Sequence, residues 1–178
     1  MQQHSLRRFN VESALRRALE KNELELFFQP RTTIRHGHIS GYEALVRWRS
    51  STLGAVSPDE FIAVAENIGV INAIGDWVLQ TACSKAAQWH AQQLPARISV
   101  NLSVRQLQQP ALAARVQSIL TASHFPAHLL EIEITESILL SAEPVLQNNL
   151  AQLRKLGIKL ALDDFGTGYS TFSYLKKH

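Results

Sequence analysis

A chain of 178 residues is long enough for one ordinary domain with a sizeable core. Hydrophobic residues at 46% and charged residues at 19% are the composition of a soluble globular protein. The net charge is +3, with the excess partly in Arg7-Arg8, Arg16-Arg17 and Lys176-Lys177; no aromatic platform lies among them, so they read as solvated surface and argue against a nucleic-acid polymer as partner.

The elements follow in chain order. Residues 10–22 read as an amphipathic helix, with Val11, Leu15 and Leu19 at helical spacing. A first strand covers residues 23–29, and Pro30 ends it. A turn at residues 35–38 leads to a second strand over 39–48; a link this short suits an antiparallel pair. Ser57-Pro58-Asp59-Glu60 opens a helix, with Ser57 as cap, Pro58 at the first position and Glu60 completing a capping box. A longer helix runs from about Ile71 to Gln93 and is closed by Pro95. The lone cysteine, Cys83, lies inside it and has no internal disulfide partner, which fits a reducing compartment.

A third strand covers residues 97–103, and Pro110 opens a helix to about Ser123. A fourth strand covers 129–136. The helix over 144–156 puts Leu146, Leu150 and Leu153 on one face and stops at Gly157, before a fifth strand over 158–164. From the second strand onward, strand and helix alternate, which argues for parallel strands with helices outside. No apolar run approaches a membrane span and no signal-peptide pattern opens the chain. The expected location is the cytoplasm, unless the chain is cut from a larger membrane-anchored protein.

Side chains alternate across a strand, so each of these strands has an apolar face and a polar one. Glu43, Leu45 and Arg47 share the polar face of the second strand; Ser99, Asn101 and Ser103 that of the third. Glu131, Glu133 and Thr135 share it on the fourth, and Lys159, Ala161 and Asp163 on the fifth. A sheet covered by helices on both sides would be apolar on both faces. A barrel can use a polar inner face, with its chemistry at the C-terminal rim. Glu43, Asn101, Glu133 and Asp163 would then converge. Carboxylate and amide oxygens are hard ligands, suited to Mg²⁺ or Mn²⁺. Arg47 could hold a phosphate oxygen beside them. Each residue alone admits a plainer role: Glu43 as an ion-pair partner, Asn101 as a turn former, Glu133 and Glu136 as a solvated strand end, Asp163-Asp164 as part of a turn.

The order of motifs resembles the EAL domain family of cyclic-di-GMP phosphodiesterases. It is carried by Glu43-Ala44-Leu45 with Val46-Arg47-Trp48, by Phe28-Gln29-Pro30 and by Pro58-Asp59-Glu60-Phe61-Ile62. Asn101-Leu102-Ser103, Glu133-Ile134-Thr135-Glu136 and Asp163-Asp164-Phe165-Gly166-Thr167-Gly168-Tyr169-Ser170 complete it. The resemblance implies a TIM-type (β/α)8 barrel whose first strand runs antiparallel. It implies metal-dependent hydrolysis of cyclic di-GMP to the linear dinucleotide with Mg²⁺ or Mn²⁺. Glu43, Asn101, Glu133 and Asp163 match metal ligands, and Asp164 matches the second aspartate, which binds the other metal and orients the water. Gln29, Leu45 and Arg47 match substrate contacts; Glu136 matches the glutamate that steadies the loop after the fifth strand. The family continues through three further strands bearing a lysine, a glutamate and a glutamine without counterparts here. The expectation is one EAL domain over residues 1–178, truncated after the fifth of eight strands and hydrolysing poorly or not at all. The alternatives are a non-catalytic module binding the nucleotide or a protein, and a non-functional fragment. Unpaired strand edges would favour a homodimer or a protein partner.

Overall fold

Strand-forming runs and amphipathic helices sort into a mixed sheet with helices on one side. The computed structural model describes residues 2–135, 138 and 141–163, giving backbone alone for 2–4 and 163. The strands are β1 (Leu24–Thr32), β2 (Ile39–Ser50), β3 (Gly54–Val56), β4 (Ile98–Asn101), β5 (Leu130–Thr135) and β6 (Lys159–Asp163). They form one sheet in the order β1-β2-β4-β5-β6, with β3 paired to the end of β2. β1 and β2 are antiparallel, whereas β2, β4, β5 and β6 run parallel. The helices are α1 (Gln2–Leu15), α2 (Pro58–Ile68), α3 (Ile71–Ala91), α4 (Val104–Leu107), α5 (Leu112–Ser123) and α6 (Pro144–Lys155). Among the described residues no helix is long and apolar enough to cross a membrane.

The core lies between the sheet and these helices. Ile98, Val100, Leu130, Ile132 and Ile134 are buried on the helix-covered face, against a layer that includes Leu79 of α3, Val116 of α5 and Leu153 of α6. Each such side chain contributes roughly 1.5–3 kcal/mol by leaving water. Edge-to-face rings pin particular pairs: Trp48 of β2 on Phe61 of α2 at 5.8 Å, and Phe28 of β1 on Trp89 of α3 at 5.0 Å. Gly157, with φ +88°, turns the chain out of α6 in the left-handed conformation, as its position after the leucine stripe predicts.

Several boundaries differ from the sequence reading, each for a tertiary reason. The first helix spans 2–15 instead of 10–22, and residues 16–22 form successive turns. Arg7 forks onto Glu60 of α2 with bonds of 2.8 and 3.1 Å, holding the early part of the helix in place. Glu23, buried below those turns, fixes the start of the sheet. β1 continues through Pro30 to Thr32 because it pairs on one side only among the described residues, where a missing N–H is tolerated. β3 and α4, short elements without periodicity of their own, were not expected. α5 begins at Leu112, two residues beyond Pro110, after Ala111 at φ 59°. The helix expected near Thr171 lies outside the described residues.

Candidate functional site

The period of the strands and their register set one face of the sheet. Gln29 of β1 stands opposite Glu43 of β2, Glu43 beside Ser99 of β4, and Ser99 beside Glu131 of β5. One step further along, Asn101 stands beside Glu133; one step beyond that, Thr135 stands beside Asp163. The chemistry-bearing residues therefore occupy successive levels of a single polar face.

Two contacts join them. The amide Nδ2 of Asn101 donates to Glu43 Oε1 at 3.0 Å, which turns the amide carbonyl away from Glu43. Arg31 Nη1 donates to Glu133 Oε1 at 2.7 Å, Glu131 Oε1 at 2.8 Å and Ser99 Oγ at 3.1 Å. Arg31 is on β1 and the two glutamates are on β5, three places away in the sheet. In a flat sheet they would be about 14 Å apart, well beyond one side chain. The sheet is therefore curled, as the wall of a barrel is, with the polar face inside. Partial burial pulls the Arg31 pKa down; the Glu131 bond and the charges of Glu133, Glu131 and Glu43 outweigh it and leave the pKa raised.

A cleft of about 350 Å³ opens over this face, lined by Leu45, Arg47, Asn101, Ser103, Glu133 and Thr135. It lies toward the C-terminal ends of β4 and β5, within the ~300–1,000 Å³ of small-molecule sites. A hollow of about 420 Å³ at the opposite end of the strands is lined by Leu120, His124, Phe125 and Leu156 and holds none of the expected site residues.

The structure brings together Glu43 and Asn101 by direct bond, and Asn101 and Glu133 by register. Leu45 and Arg47 line the same cleft. Arg47 is folded back, its Nη1 donating to the Val46 carbonyl at 2.9 Å, so a phosphate contact requires it to swing out. Gln29 is exposed and pairs in register with Glu43. Asp163 closes β6 beside Thr135. Its side chain, Asp164, Glu136 and the loop from Phe165 to Ser170 lie outside the described residues. Among the described residues no three acidic, histidine or cysteine side chains form a metal-binding group. The donors that do meet, Glu43, Asn101 and Glu133, are hard oxygen ligands of the kind Mg²⁺ and Mn²⁺ take. In donor chemistry they fit a divalent cation.

Sequence reasoning missed Arg31, because it ended the first strand at Pro30. The signal was present: alternation carries Phe27, Gln29 and Arg31 on one side of the strand if an edge strand continues through the proline.

The model of the EAL domain family matches residues 12–178. A signalling protein of Caulobacter vibrioides is 44% identical over 169 residues, 95% of this chain and 20% of its own length. A cyclic di-GMP phosphodiesterase of Pseudomonas aeruginosa is 34% identical over 177 residues, 99% of this chain and 30% of its own length. The chain thus spans between a fifth and a third of these relatives. Among solved structures, the PaMucR phosphodiesterase in complex with c-di-GMP superposes with a TM-score of 0.86 at 36% identity, covering 94% of this chain and 68% of that one. With the polar inner face, the curled sheet and the ordered motifs, these matches show that the chain belongs to the EAL domain family.

Proposed function

We propose that this chain binds cyclic di-GMP in the cleft over Leu45, Arg47, Asn101 and Glu133, and works as a cyclic-di-GMP phosphodiesterase domain. The observation that carries this reading is the meeting of Glu43, Asn101 and Glu133 on the inner face of an EAL-family sheet. Glu43, Asn101 and Glu133, with Asp163 and Asp164, would hold Mg²⁺ or Mn²⁺. A bound divalent cation neutralises phosphate charge and makes its water a stronger nucleophile. The residues of this chain bind and orient. Leu45 gives the nucleotide an apolar floor, Gln29 a hydrogen-bonding amide, and Arg47 a planar cation for a phosphate oxygen. Asp163 and Asp164 orient the water, and Glu136 steadies the following loop. In the reaction, water adds across one phosphodiester bond of the cyclic dinucleotide: phosphorus gains the hydroxyl oxygen and the departing ribose oxygen takes a proton. The linear dinucleotide results. A cytoplasmic location and association with a second copy or a protein partner belong to the same reading.

A second reading, nucleotide binding without turnover, is favoured by Arg31, which holds a Glu133 oxygen that cation binding requires. Calorimetric titration with cyclic di-GMP in Mg²⁺, beside a product assay for the linear dinucleotide, separates the two. Binding with turnover abolished by Glu43→Ala supports the phosphodiesterase. Binding alone supports the second reading, and no binding sinks both.

A further inference from the structure

The carboxylates of the inner face already have a cation, and it belongs to the chain. Glu133 is 8% exposed and Glu131 15%, whereas Arg31 is 46% exposed. A buried carboxylate with no counter-charge is strongly destabilising. Arg31 supplies that charge from the opposite direction, reaching over from an edge strand. One nitrogen carrying two hydrogens serves three acceptors, Glu131, Glu133 and Ser99, so no single bond in the set has ideal geometry. The strand register also breaks between Arg31 and Thr32, beneath the side chain that would have to move. Glu131 sits one level below Glu133 and outside the ligand set, so it could keep the guanidinium if Glu133 were drawn away.

We propose that Arg31 is a positioning residue that stands in for the divalent cation: it neutralises Glu131 and Glu133 when no cation is bound, and yields Glu133 Oε1 when one binds. This rests on the reading of Glu43, Asn101 and Glu133 as the cation site. The guanidinium and the cation are rivals for one oxygen and repel each other at short range. Removing Arg31 therefore acts twice in the same direction. It relieves the rivalry, and it leaves two carboxylates that a cation can relieve. A purely structural spoke predicts something else: a less stable chain whose cation affinity does not rise.

The test titrates the full chain with Mn²⁺, reading free Mn²⁺ by its paramagnetic resonance signal and stability by thermal melting. Arg31→Gln should bind Mn²⁺ about tenfold more tightly than the native chain. It should melt several degrees lower in chelator and recover most of that difference in Mn²⁺. If Arg31→Gln folds too poorly, Arg31→Gln with Glu131→Gln keeps the local charge balance and should still bind about threefold more tightly, because Glu133 has lost its rival. Mn²⁺ binding that is unchanged or weaker in the variant that folds overturns the proposal alone. No Mn²⁺ binding in either the native chain or the variants overturns it together with the cation-site reading.

Discussion

Asn101 does two jobs with one side chain. Its Nδ2 aims Glu43 Oε1, and its carbonyl is the neutral oxygen of the expected donor set. Asn101→Ala should therefore lower Mn²⁺ affinity at least tenfold, more than loss of a peripheral contact, because it also releases Glu43. An unchanged affinity by calorimetry would remove Asn101 from the site. Cys83 makes the opposite point about residue scale. Burial alone pushes its thiol up to about 12, so almost no thiolate exists near neutral pH. A maleimide should label the native chain slowly and the denatured chain at once; rapid native labelling by mass spectrometry would show that α3 opens.

At the scale of elements, the site depends on how α3, α4 and α6 are held against one another. A methyl group at Gly75 of α3 would meet the Gln106 amide of α4 head on. Gln106 is buried, and its Oε1 accepts from the Ser103 backbone N–H at 3.1 Å, so moving it undoes the start of α4 next to Asn101. Gly75→Ala should destabilise the chain by about 1–3 kcal/mol despite its better helix propensity. In a Gln106→Ala background most of that loss should vanish, and additive chemical-denaturation energies would refute the contact. Asn149 of α6 performs a similar service, donating to the carbonyls of Leu107 and Gln109 at 2.7 and 2.9 Å from a buried position. Asn149→Ala should lose roughly 2–3 kcal/mol by the same measurement, since two carbonyls lose their partner.

At the scale of the molecule, the curled sheet needs its first corner fixed. Glu23 fixes it: Trp48 Nε1 donates to Oε2 at 3.1 Å, while the Ser51 hydroxyl and backbone N–H donate to Oε1 at 2.6 and 3.0 Å. Burial pushes the Glu23 carboxyl up, but the bonds from Ser51 and Trp48 and the charge of Lys21 outweigh it, and its pKa falls below the ordinary value of 4.5. The sign follows from linkage. The unfolded chain binds the proton more readily, so Glu23 contributes fully above the ordinary value, and its contribution fades as pH falls through the depressed one. Melting temperature should therefore decline in acid with a slope that Glu23→Gln reduces. The variant should also be less stable near neutrality, because the Ser51 and Trp48 donors lose a charged acceptor. Parallel acid slopes for both proteins would mean that other carboxylates govern acid unfolding.

The sequence by itself determined the alternation of strands and helices, the polar inner face, the family and the strand positions of Glu43, Asn101, Glu133 and Asp163. These are local properties: side-chain period, capping residues and ordered motifs are written along the chain and do not require knowing what lies opposite. It did not reveal that β1 runs through Pro30, because the tolerance for a missing N–H depends on the strand's being an edge, and edges exist only in an assembled sheet. It did not place α1, whose register is set by Arg7 meeting Glu60 across 53 residues of chain. Nor could it show Arg31 beside Glu131 and Glu133, separated by 100 and 102 residues. Curvature of the sheet brings them together, and curvature is a property of many strands packed at once. Motif and period thus told which oxygens face inward, while only the tertiary structure decided which cation already faces them.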